Sequence, residues 1–150
     1  MIGDNMKKKI LIIGIILTII IGFIIIKNLN NDKDGYYVLN KDEIPSIEKI
    51  LGKRNLYGKN KKRSNKNLIK TYEYNKIDDV YSDLSIYTDY LINDLGFNTT
   101  NSFDLNNKSG TIKLASNSIE NNYIILMDIK YSKGKYTIKI TRGKGRIKVS

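Results

Sequence analysis

Asp79 and Asp83 stand four residues apart in a stretch of helical periodicity, which places both carboxylates on one helix face. That spacing suits one metal ion or a general acid with its base. Further ligands are missing from the neighbourhood, and the chain contains neither histidine nor cysteine. It therefore lacks the commonest general base, the imidazole and thiolate metal ligands, and any disulfide. Acids at the start of a helix are also stabilised by its dipole without doing chemistry. The segment Arg142 to Arg146, RGKGR, matches part of a phosphate-binding loop but lacks the strand, loop and helix that such a loop needs, and reads as a cationic hairpin tip. Asn30 to Gly35 matches the first half of a calcium loop, yet Lys41 occupies the position of the bidentate glutamate and no helix enters it. No cofactor, metal or catalytic residue is expected.

Charge is the more informative chemistry. Between Lys53 and Lys70 lie eight basic residues and no acid, and the centre of this run has no hydrophobic residue, so it reads as an exposed loop. Lys59, Lys61, Lys62 and Arg63 are candidate contacts for an anionic partner, as are Lys135, Lys139, Arg142, Lys144 and Arg146 near the C-terminus. Solvation of a mobile loop is the competing account of the first group. Eleven tyrosines interleave with these cations and could stack unpaired bases, which makes sequence-independent nucleic-acid binding the second functional reading. Five of them, Tyr72, Tyr87, Tyr123, Tyr131 and Tyr136, instead fit core or boundary patterns. The abundance of Ile, Lys and Asn is that of an AT-rich genome, so part of the basicity reflects codon usage.

What positions these residues is first a membrane anchor. Ile10 to Ile26 is seventeen uncharged residues, which as a helix would cover about 25 Å, near the short end of a membrane span. No small-residue cleavage site or lipoprotein cysteine follows, so an uncleaved anchor is expected, not a removable leader. Lys7, Lys8 and Lys9 outweigh Lys27, which places residues 1–9 in the cytoplasm and the bulk of the chain outside the cell membrane. Gly14, Thr18 and Gly22 fall on one helix face and would let a second copy or another membrane protein approach closely. Residues 27–35 read as a linker and 36–150 as one domain. Four of the 26 Lys and Arg flank the anchor and one of the 15 acids precedes it; 22 cations against 14 acids leave the remainder at +8. Such a domain favours anionic partners, including envelope polymers and lipid head groups.

Within the domain, Tyr36 to Leu39 reads as a strand and Ile44 to Leu51 as a two-turn helix with Pro45 in its first turn and Gly52 as its stop. Leu68 to Tyr74 alternates as a strand. Val80, Leu84, Tyr87, Leu91 and Leu95 recur at three- and four-residue steps, predicting one main helix over Asp78 to Leu95, with Asp79, Asp83 and Asp89 off the stripe. Gly96 ends it and Phe97 folds back. Asn101–Leu105, Thr111–Ala115, Tyr123–Tyr131 and Lys135–Thr141 complete the strands, with Ile147 and Val149 as an edge. The expected fold is α+β: an antiparallel sheet of about five strands packed on one helix, its other face rich in lysine.

The order TYEYN, a helix containing YTDYLINDLGF, then SGTIKLAS, YIILMDIKY and KYTIKI resembles a group of uncharacterised exported domains of Gram-positive bacteria. The likeness spans Leu68 to Ile140, implies a small α+β fold, and brings no catalytic residues; those domains often carry an N-terminal lipid-modified cysteine where this chain has an apolar stretch. SIEKILGKR is similar to the helix and turn of small outer-membrane assembly lipoproteins, with Arg54 in place of their proline. The expectation is a single-pass, non-catalytic binding or interaction module at the cell envelope; nucleic-acid binding near the membrane and an enzyme with unrecognised residues are the alternatives.

Overall fold

The computed structural model describes residues 32–147. The apolar stretch Ile10–Ile26, with Gly14, Thr18 and Gly22, lies outside the described residues, and no helix among those described is long and apolar enough to cross a membrane.

The domain is α+β, with a mostly antiparallel sheet. Its elements in order are β1 (Tyr36–Leu39), β2 (Asp42–Pro45), α1 (Ile47–Leu51), β3 (Leu56–Ser64), β4 (Asn67–Asn75), α2 (Val80–Asp89, continued by a π-helical turn over Tyr90–Asp94), β5 (Asn98–Thr99), β6 (Gly110–Asn117), β7 (Tyr123–Ser132) and β8 (Lys135–Lys144). β1 and β2 form a separate hairpin, and the main sheet runs β3-β4-β8-β7-β6-β5. It has six strands where about five were expected.

The sixth strand is β3, within the run expected to be a loop. Hydrophobic alternation is absent from it because its inward positions, Lys59, Lys61 and Arg63, are charged; what makes it a strand is a ladder to β4 from Leu56 through Ser64. It is also an edge strand, where lysines discourage pairing with other chains. Tyr123, Ile125, Met127, Ile129 and Tyr131 share the inner face of β7, and Tyr136, Ile138 and Ile140 that of β8, as alternation predicts.

The inner face is covered by α2, α1 and the β1–β2 hairpin. Leu84, Tyr87 and Leu91 of α2 meet Tyr37, Leu39, Ile44 and Ile47 in one core with the sheet residues. The Tyr87 hydroxyl donates to the Pro45 carbonyl at 2.9 Å, pinning the hairpin to the helix. At the helix end Gly96 takes φ +69°, a left-handed conformation that glycine adopts without steric cost, and the Phe97 N–H bonds back to the Leu91 carbonyl at 2.9 Å.

Several local expectations are corrected. Helix α1 begins at Ile47, not near Pro45: Ile44 and Pro45 pair with β1, and Ser46 is the cap, its Oγ accepting from the Lys49 N–H at 3.2 Å. Asn101–Leu105 is not a strand, because the Asn101 side chain itself occupies β6 positions, accepting from Lys113 N–H at 2.7 Å and donating to the Thr111 carbonyl at 2.9 Å. Arg142 to Lys144 continue β8 opposite Ile125 and Tyr123, so RGKGR is not a free hairpin tip; Ile147 is not in a strand and Val149 lies outside the described residues.

Candidate basic surface and its ion pairs

Folding sorts the cations into two sets. One set is spent on the core side. Asp32 accepts from Lys70 Nζ at 2.7 Å, from the Tyr72 hydroxyl at 2.8 Å and from the Val38 N–H at 3.1 Å, and Lys59 pairs with its other oxygen. Burial pushes the Asp32 carboxyl up, but the hydrogen bonds from Lys59, Lys70, Val38 and Tyr72 outweigh it and hold the group below the ordinary aspartate value. Lys70 is 2% exposed, and its desolvation keeps its ammonium below the usual lysine range despite Asp32. The Asp32 carboxylate is thus neutralised by the protein's own groups.

Arg142 belongs to the same set and is not a surface contact. It is 4% exposed, its Nε donates to Asp42 at 3.1 Å, its Nη2 to Glu120, and its guanidinium lies 3.8 Å from the centre of the Tyr123 ring. Asp42 in turn accepts from the Ser118 hydroxyl and the Ile119 N–H, so this arginine ties β2, β8 and the β6–β7 connection together.

The paired aspartates of α2 are likewise occupied. Asp79 is the helix cap, accepting from the Ser82 N–H at 2.9 Å. Asp83 is not off the buried side as expected; it is 7% exposed and holds a two-pronged ion pair with Arg54, at 2.6 and 2.8 Å, plus the Tyr136 hydroxyl at 3.1 Å. With both oxygens of Asp83 engaged, the pair is not arranged as a shared ligand set.

The second set of cations faces away from the core. Register places Lys62 of β3, Lys135 and Lys139 of β8, Lys130 of β7 and Lys113 of β6 on the outer face of the sheet, with Glu73 and Asp128 as its acids. Neither helix packs there. One transverse row reads Asn60, Thr71, Lys139, Asp128, Lys113, and the next Lys62, Ile69, Thr141, Leu126, Ala115. None of the five lysines has a carboxylate within 4.0 Å among the described residues, whereas Arg54, Lys59, Lys70 and Arg142 all do. On the opposite side, residues 78–95 carry five acids and no base.

Of the remaining candidates, Lys61 and Arg63 point to the inner side of β3, where burial and the charges of Lys70 and Arg63 lower the affinity of Lys61 for its proton. Lys144 is exposed at the end of β8, and Arg146 donates to Asn121 at 3.3 Å. The candidate residues thus do not converge on one patch: Lys62, Lys135 and Lys139 share the outer face, while Lys59 and Arg142 are structural. Lys113 and Lys130 were missed, although the alternation in TIKLAS and YIILMDIKY already turns them outward.

Aromatic residues are absent from the outward positions of β4, β6, β7 and β8. Tyr72, Tyr74, Tyr131 and Tyr136 all face the core. Base stacking, the means by which sheet surfaces hold single strands, has no platform on these four strands; on β3 the bulged Tyr57 is exposed. No protein-family model, curated protein or solved structure matches the chain.

Proposed function

We propose that this chain is a membrane-tethered, non-catalytic binding module that lays the outer face of its sheet against an anionic envelope polymer. The observation that carries the reading is that the five lysines of that face have no carboxylate within 4.0 Å among the described residues, while the buried cations Lys70 and Arg142 are neutralised by Asp32, Asp42 and Glu120. A face bearing lysines, threonines and asparagines suits the backbone of a phosphate-bearing polymer better than bases or neutral sugars. The apolar stretch Ile10–Ile26 supports tethering at the outer side of the cell membrane, and the short polar linker keeps the domain near it.

The test is binding of the full chain, in a maltoside detergent, to poly(glycerol phosphate) and to single-stranded DNA across a range of salt. Affinity should fall steeply with salt, and the triple variant Lys113→Gln, Lys130→Gln, Lys139→Gln should reduce the log–log slope by about two to three. An unchanged slope and affinity in that variant overturns the reading. Tighter binding to DNA than to the polymer, at matched charge, favours the nucleic-acid alternative.

A further inference from the structure

At the end of the sheet, a cavity of about 230 Å³ opens between the β1–β2 turn and the β3–β4 turn. Its wall includes Asn40, Arg63, Asn65, Lys66, Asn67 and Arg142, and it contains no carboxylate. Four other cavities of the domain each hold at least one: Asp104 in one, Asp42 and Glu43 in another, Asp34 and Glu48 in a third, and Asp78, Asp79 and Asp83 in the last.

We infer that this cavity is a binding site for a single phosphate group. Arg63 and Lys66 bring two positive charges and have no carboxylate within 4.0 Å among the described residues, so neither is neutralised as Arg142 is by Asp42 and Glu120. Arg142 forms a fixed wall; its Nε and Nη2 are engaged, and its Nη1 has no hydrogen-bond partner among the described residues. Asn40, Asn65 and Asn67, from the two turns, also line the cavity. Cationic and amide-bearing residues around one cavity suit a group with several acceptor oxygens and more than one negative charge better than a carboxylate. Asn40, Asn65 and Lys66, which border this cavity, have positive φ of 60°, 47° and 70°, as tight hairpin turns require. The site lies off the outer face and does not depend on the polymer reading.

The full chain, labelled with ¹⁵N and held in a maltoside detergent that carries no phosphate, is titrated with inorganic phosphate, with glycerol phosphate and with acetate. Saturable shifts of the side-chain amides of Asn40, Asn65 and Asn67 with both phosphates, and not with acetate, are the expected result. Arg63→Gln should weaken binding about tenfold. Lys66→Gly should also weaken it while relieving the turn, so a loss there is not a loss of fold. Competition by vesicles containing phosphatidylglycerol identifies a lipid head group as the source; its absence points to a soluble phosphate, and both outcomes support a phosphate site. Absence of saturation, equal shifts with acetate, or affinity unchanged in both variants overturns the inference. The triple lysine variant of the outer face should bind phosphate normally, so the two readings fail separately.

Discussion

Lys70 Nζ lies 2.7 Å from Asp32 Oδ1, and this contact fastens the residues just before β1 to the second strand of the main sheet. An ammonium that is 2% exposed has lost its hydration, and Asp32 supplies what replaces it. Asp32 is therefore part of the folded unit and not of a solvated linker.

Replacing Asp32 by Asn should lower stability by about 3 kcal/mol, because Lys70 stays buried without a counter-charge. Chemical denaturation of the full chain checks this: the midpoint falls while the denaturant slope is retained. The pH dependence separates charge from packing. Asp32 has a folded-state pKa below its ordinary value of 3.8, so its stabilisation is complete above that value and is lost as the pH falls through the lower folded value. The Asn variant should lack this part of the acid transition.

The β3–β4 turn offers a gain. Asn65 and Lys66 both have positive φ, the geometry of a tight hairpin turn that favours glycine at its second position. Lys66→Gly should raise stability by about 1 kcal/mol, seen as a higher denaturation midpoint. A lower midpoint would mean that the lysine side chain contributes more than its backbone costs.

Arg142 and Lys139 lie three residues apart on one strand and should behave oppositely. Arg142→Gln leaves Asp42 buried without its cation and should cost about 3 kcal/mol. Lys139→Gln should leave the denaturation midpoint where it is and weaken polymer binding. Thermal melts and binding isotherms on the two variants decide it.

That opposition marks what the sequence can and cannot reveal. Strands β7 and β8 and the end of α2 were legible because period-two and period-3.6 patterns report burial directly, and Gly96-Phe97 is a local stop signal. Strand β3 was not legible: its inward side chains are cations satisfied by Asp32 or by position at the edge, so no hydrophobic period exists to detect. The burial of Arg142 was equally hidden, because Asp42 lies 100 residues away and Glu120 lies 22 away, and nothing local distinguishes this arginine from a surface one. The outer-face lysines were within reach of alternation alone. The cavity between the turns was not, since Asn40 and Lys66 meet only through packing of the hairpin on the sheet.

The tyrosines predict alkaline unfolding. Burial pushes the hydroxyls of Tyr37, Tyr72, Tyr74, Tyr87 and Tyr136 above their ordinary value of 10.0, and the carboxylates of Asp32 beside Tyr72 and Asp83 beside Tyr136 push those two further. A folded-state pKa raised in this way means that the folded protein keeps protons the unfolded chain has released. Stability is then complete below about pH 10 and falls above it by about 1.4 kcal/mol per pH unit for each such tyrosine. Tyrosinate absorbance from these five residues should therefore appear together with the loss of circular dichroism, in one transition. Tyr136→Phe should make that transition shallower by one tyrosine's share, although it also removes a hydrogen bond to Asp83 and lowers stability at neutral pH. If the absorbance of all eleven tyrosines rises while the dichroism is still native, the inner face of the sheet is open to water and the packing of Tyr72, Tyr74 and Tyr136 described above is wrong.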